Sequence, residues 1–372
     1  MASQTGSEQP VERHTHLGIL MRLKHSFIIG LLLIAGAMAL RVLAQADKAK
    51  DAKKEEPYTL QVDVDLVNLA VAVAGPSGNF LTDLKKENFT VYEDKVEQKI
   101  TNFAAVDAPF AVALVLDTSS STEGKLSRIQ DEAIRFVEQI HRDDEVMVIS
   151  FDDEVHLETD FTSNRRAIER AIKRTRTGMS TQLYEAVYLA LEEKLRIKRE
   201  RKAMVLFTDG VDTSSPTASA KETIETAREM DALIFPIFFD TSRDMRRLSR
   251  GGPFPGGGGN PRFPVPGRVP VDTRSPRQRD DDEQRMQMEV QRGRSYLHDL
   301  AEATGGTLYA ADGLDSLGGA FGQIATELRS LYNLGYISTN QKKDGKFRRL
   351  AVKVDRPDAV VKSKKGYFSR KK

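Results

Sequence analysis

Apolar and polar positions alternate strictly early in the chain. Leu60, Val62, Val64 and Leu66 share one phase, which then switches to Val67, Leu69, Val71 and Val73. A period of two is the strand signature, and the change of phase predicts a bulge or crossover near Leu66-Val67. Gly75-Pro76-Ser77-Gly78 reads as a turn, and strand patterns follow over residues 89–92 and 99–103. These signals predict a small β-rich domain over residues 58–106, a sandwich of immunoglobulin type with about four countable strands.

From Pro109 the pattern changes. Uninterrupted apolar runs at 110–116, 146–151, 204–207 and 233–239 alternate with stretches in which apolar residues recur at three and four. Leu126, Ile129, Ala133, Phe136, Val137 and Ile140 form one such stripe, and Leu183, Ala186, Val187, Ala190 and Leu191 another. Ser219 with Glu222 predicts a capping box at the start of a further helix. Apolar strands between amphipathic helices predict a parallel sheet covered on both faces, which is a doubly wound α/β domain over residues 109–332. Its last elements are the turn at 304–309 and a helix carrying Leu317, Phe321, Ile324, Leu328 and Leu331.

Two segments depart from this alternation. Residues 251–276 hold half of the chain's 14 prolines and the run Gly256 to Gly259. Such a stretch predicts a disordered surface insertion, bounded at about 243–283. Beyond residue 332, Asp344-Gly345 lies between apolar runs at 334–337 and 347–354, which predicts a β-hairpin extension over 333–372.

Charge and composition narrow the function. The 372 residues are 40% hydrophobic with a net charge of +2, enough apolar material for two or three domains. No domain-wide basic excess marks a nucleic-acid binder. Met21-Arg22-Leu23-Lys24-His25 precedes an apolar run over 27–40, and Ala44-Gln45-Ala46 supplies small residues for cleavage. This layout predicts a signal peptide over 1–46, with Met21 as an alternative start, and a charged linker over 47–57. The chain would touch a membrane only if that segment stayed uncleaved. With no cysteine, the exported protein would stand without disulfides.

The candidate chemistry sits at strand ends. Asp117, Ser119 and Ser121 follow the run at 110–116, Thr208-Asp209-Gly210 follows the run at 204–207, and Thr181 opens the helical stretch at 182–195. Hard oxygen donors on three loops suit a cation of the Mg²⁺ type, which takes near-octahedral oxygen ligation and retains water or accepts an outside oxygen. The order of DxSxS, threonine and Asp-Gly resembles the von Willebrand factor type A domain. That resemblance implies a metal-ion-dependent adhesion site built from Asp117, Ser119, Ser121, Thr181 and Asp209. It implies Mg²⁺ there, with Mn²⁺ or Ca²⁺ as alternatives, and a protein partner that completes the shell with an exposed Asp or Glu. Where the family has Gly-Gly before its threonine, this chain has Gly178-Met179-Ser180, so Ser180 competes with Thr181. With Tyr332-Asn333-Leu334-Gly335-Tyr336 and Lys365-Gly366-Tyr367-Phe368, residues 60–372 are similar to a bacterial family of von Willebrand factor A-related proteins frequent in acidobacteria.

Other chemistries find less support. There is no GxSxG elbow, no GxxxxGK[ST] loop and no HExxH spacing among the six histidines, His14, His16, His25, His141, His156 and His298. The acidic runs at 152–154 and 280–283 read as solvated loops. Glu123 is the one carboxylate near the first loop with a conceivable role as a base. The expectation is an exported, non-enzymatic, metal-dependent binding module. The alternatives are a cell-envelope structural or assembly factor with a structural metal and, behind it, a hydrolase.

Overall fold

In a computed structural model the described residues are 66–104, 108–198, 201–240, 276–369 and 371. The expected signal segment, the linker, residues 58–65 and residues 241–275 of the insertion lie outside them. Among the described residues no helix is long and apolar enough to cross a membrane.

The described residues begin with strands β1 (Leu66–Ala74), β2 (Phe89–Glu93), β3 (Val96–Gln98) and β4 (Ile100–Ala104). It then runs through β5 (Phe110–Asp117), helix α1 (Leu126–Gln139), β6 (Glu145–Phe151), β7 (Val155–Thr162) and α2 (Arg165–Arg174). Helix α3 (Leu183–Tyr188) continues as a π-helical segment, Leu189–Leu195. After it come β8 (Arg201–Thr208), α4 (Ala220–Glu229), β9 (Ala232–Phe239), α5 (Pro276–Thr304), β10 (Tyr309–Ala311) and α6 (Leu314–Leu328). The chain closes with β11 (Tyr332–Ile337), β12 (Phe347–Val354), β13 (Val360–Lys362) and β14 (Gly366–Phe368). Helix α5 thus begins at Pro276, so residues 276–283 of the expected insertion are helical.

Strand β5 is buried along its whole length, and its side chains divide by parity. Val112, Leu114 and Leu116 pack with Ile129, Phe136 and Phe321 of α1 and α6, whereas Ala113 and Val115 pack with Leu183, Val187 and Leu297 from α3 and α5. Each such fully buried aliphatic side chain contributes about 1.5–3 kcal/mol. The sheet order is β10-β9-β8-β5-β6-β7, parallel except for β7, an antiparallel edge strand on β6. The chain moves from β5 to β6 on one side and returns to β8 on the other. Strand order therefore reverses at β5, which opens a crevice at the carboxyl ends of β5, β6 and β8.

The remaining strands form two four-stranded sheets, β13-β1-β11-β4 and β14-β12-β2-β3. They enclose one core containing Leu69, Val71, Phe89, Val91, Tyr332, Leu334 and Tyr336. Both sheets mix strands from before and after the α/β domain, so the two flanking segments make a single β-sandwich. Sandwich and α/β domain belong to one unit, Val64–Lys372. The hairpin expected across Asp344-Gly345 does not form. Leu334 pairs with Leu69 on one side and Phe103 on the other, which uses both edges of β11, and β12 pairs with β2 and β14 instead.

Tyr332 ties this arrangement together. Its hydroxyl donates to Leu81 O at 3.0 Å and accepts from Leu84 N at 2.9 Å. Tyr332→Phe should cost about 1–2 kcal/mol, because the buried Leu84 amide loses its acceptor. Urea unfolding of the two proteins measures the difference directly.

Candidate metal centre

The first loop leaves β5 at Asp117, whose carboxylate is fully buried. Its Oδ1 accepts from Ser119 N at 2.9 Å and its Oδ2 from Thr208 Oγ1 at 2.7 Å. The Thr208 hydroxyl in turn accepts from Gly210 N at 3.0 Å, so Asp117 also fixes the third loop. Ser119 and Ser121 place their hydroxyl oxygens 3.1 Å apart, and a short helical turn over Ser120–Thr122 holds that spacing. Lys125 Nζ donates to Ser121 O at 3.2 Å.

The second loop docks on the first. Gly178 N donates to Thr118 O at 3.0 Å and Ser120 Oγ to Met179 O at 3.1 Å. Thr181 is clamped through its backbone, donating to Thr213 Oγ1 at 2.8 Å and accepting from Thr213 N and Ser214 N at 3.0 and 3.1 Å. Thr181 is buried, and its hydroxyl makes no hydrogen bond among the described residues. Ser180 Oγ, by contrast, donates to Asp153 Oδ1 at 2.6 Å and accepts from Ser214 Oγ at 3.0 Å. The rival hydroxyl is therefore committed elsewhere, and Thr181 presents the one that is not.

The third loop carries Asp209, buried beside Asp117, with Val211 N donating to its Oδ1 at 3.1 Å. The two carboxylates interact unfavourably. Burial first, and the Asp209 charge second, push the Asp117 pKa from 3.8 up to about 7. All five expected residues thus lie on three mutually bonded loops, and their donor set is oxygen throughout. Two apposed carboxylates, a hydroxyl pair and an uncommitted hydroxyl fit a hard divalent cation.

The raised Asp117 pKa has a thermodynamic sign. The folded state holds a proton that the unfolded chain releases near 3.8, so the contribution is full below that pH and is lost as pH rises through about 7. Chelator-treated protein should lose stability across this window, and Asp117→Asn should flatten the slope. Urea unfolding at several pH values provides the check.

Asp153 is a positioning residue that the sequence does not reveal. It lies exposed in the expected solvated acidic loop and from there accepts from Met179 N and Ser180 N at 3.0 and 2.9 Å as well as from the Ser180 hydroxyl. These bonds hold its carboxyl below the usual range, the Ser180 hydroxyl contributing most. Glu123 is exposed. A separate exposed group, His298, Asp299 and Glu302, lies on α5, and its Glu302 is paired with Lys365.

Residues 112–211 match the sequence model of the von Willebrand factor type A domain. The chain carries a von Willebrand factor type A domain, whose match runs from β5 through the loops bearing Asp117, Thr181 and Asp209. An uncharacterized protein of Synechocystis sp. is 31% identical over 106 residues, which is 27% of this chain and 25% of the relative. The chain therefore spans about a quarter of the length of that curated relative. Among solved structures, a von Willebrand factor type A protein from Catenulispora acidiphila aligns over 82% of this chain and 63% of its own, at 11% identity and a TM-score of 0.43. Proximal thread matrix protein 1 from the mussel byssus, solved with a zinc-occupied MIDAS motif, aligns over 63% of this chain and 49% of its own, at 14% identity and a TM-score of 0.41.

Proposed function

We propose that this protein is an exported binding module that holds a divalent cation, Mg²⁺ in the first instance, between its three loops and uses it to grip an acidic side chain of a protein partner. The observation that carries the reading is the convergence at the strand-order reversal. Asp117 bonds Ser119 and Thr208 there, Ser119 and Ser121 pair their hydroxyls, the Asp209 charge bears on Asp117, and Thr181 is clamped on the adjoining loop. The serine and threonine hydroxyls would bind the ion as neutral donors, with the two carboxylates supplying the countercharge. Two carboxylates against a dication leave the ion electrophilic, so a partner's Asp or Glu can complete its shell. Recognition of this kind needs no base or nucleophile, which favours binding over catalysis. Export rests on the charged, apolar and small-residue order between Met21 and Ala46.

Complete burial of Asp117 also suits a metal that only stabilises the fold. Capture on two immobilised peptides, one bearing glutamates and one bearing glutamines, separates the readings. Retention on the glutamate peptide with Mg²⁺, and release by chelator, is the expected result. Equal retention on both peptides, or none on either while Mg²⁺ still raises the melting temperature, would leave the metal a structural role.

A further inference from the structure

A cavity of about 300 Å³ lies at the opposite pole of the α/β domain, against the sandwich. Phe110, Arg201 and Ala232, the first residues of β5, β8 and β9, line it. One wall is cationic, formed by Arg201, Lys202 and Lys364, with Asp231 as the single carboxylate in the lining. Lys364 is only 9% exposed, and its Nζ stands 3.7 Å from Asp231 Oδ1.

Arg201 is the anomaly. Its terminal nitrogens donate to Ala108 O at 3.0 Å and Leu331 O at 2.8 Å, the two crossings between sandwich and α/β domain. Its guanidinium stacks 4.0 Å over the Phe110 ring. No carboxylate reaches it within ion-pair distance among the described residues, and its Nε is enclosed without a partner. Burial pulls its pKa down to about 10, and the more distant Asp144 charge offsets only part of that loss. A charge taken out of water is expensive unless an anion accompanies it.

We infer that this cavity is a binding site for a small organic carboxylate, with its anionic end against Arg201, Lys202 and Lys364 and a short apolar body over Phe110. Met230 and Leu233 extend the apolar surface, and Asn68 and Asn333, on the adjacent strands β1 and β11, add amide groups at the sandwich side. The volume is at the small end for ligand pockets, which suits a compact acid and excludes a nucleotide. The same chemistry is offered by a free acid and by the carboxyl terminus of a peptide. The site is independent of the metal loops.

The test uses the full chain with Mg²⁺ and, separately, with chelator. The probes are benzoate, inorganic phosphate, and a leucine-terminated tetrapeptide with a free or an amidated carboxyl. Benzoate or the free-acid peptide should raise the melting temperature by about 5 °C at a hundredfold excess over its dissociation constant, equally with and without chelator. The amidated peptide should not. The Lys202→Gln/Lys364→Gln variant, which retains Arg201, should bind at least tenfold more weakly. Amide spectra of the wild type give a second readout that needs no variant, with shifts gathered at Asn68, Ala232, Asn333 and Lys364 and none at 117–121. Benzoate alone points to a free acid, and the peptide to a protein terminus. Tighter binding of phosphate than of either carboxylate, no saturable response to any probe, or shifts gathered at the metal loops would overturn the assignment.

Discussion

Glu93→Ala should cost about 3–5 kcal/mol of folding stability, the range for breaking a buried polar network by removing its charged member. Glu93 is 2% exposed at the end of β2. Its Oε2 accepts from Tyr336 OH at 2.7 Å and Tyr367 OH at 2.9 Å, and its Oε1 accepts from Ser338 Oγ at 2.7 Å. One carboxylate from the leading segment thus holds three hydroxyls from the trailing segment. Alanine would strand the Tyr336 and Tyr367 hydroxyls, each at about 1–3 kcal/mol before relaxation, whereas Ser338 Oγ keeps Asn340 O at 3.3 Å. Glu93→Gln keeps an acceptor oxygen and should lose roughly half as much. Urea unfolding measures both. A loss below about 1 kcal/mol for alanine would mean that the two ends of the chain do not share the sandwich.

Gly210→Ala should damage stability and metal response together. Gly210 has φ +80°, a left-handed conformation that costs a residue with a Cβ about 1–2 kcal/mol. That Cβ would also stand 2.7 Å from the Gly293 carbonyl carbon, which is backbone of α5 and cannot rotate away. The loop that carries Asp209 would have to shift. We expect a total cost of about 3 kcal/mol or more and at least a tenfold loss of cation affinity. Gly293→Ala tests the same contact from the helix side, because its Cβ would lie 2.6 Å from the Gly210 carbonyl carbon. A Gly293→Ala protein with unchanged metal binding would show that the contact does not position the third loop.

The α/β domain was legible because its strands are buried on both faces. Continuous apolar runs such as 110–116 leave a signal that needs no knowledge of the partner strand. The ends of those runs also located Asp117 and Asp209, since a polar residue directly after a buried strand falls at the crevice. Strand β7 escaped notice because its apolar face is short and only half-buried, with Val155 and Phe161 packing on the core and charged residues between them. The sandwich was only half legible. Its strands showed their period, but β1 finds β11 across more than 250 residues of intervening chain, as Leu69↔Leu334 shows. Pairing at that distance leaves no local trace, and the Asp344-Gly345 turn suggested a hairpin whose first strand had both edges already taken. Asp153 was hidden for a related reason. Its role depends on the approach of residues 178–181, which no spacing along the chain records.

The most direct test of the metal-dependent reading is calorimetric titration of Mg²⁺ into the full chain, beside Asp117→Ala and Thr181→Ala. The account predicts one saturable site in the wild type, with a matching rise in melting temperature. It predicts no detectable site in Asp117→Ala and clearly weakened binding in Thr181→Ala. Saturable binding that survives in Asp117→Ala, or none in the wild type, would contradict it.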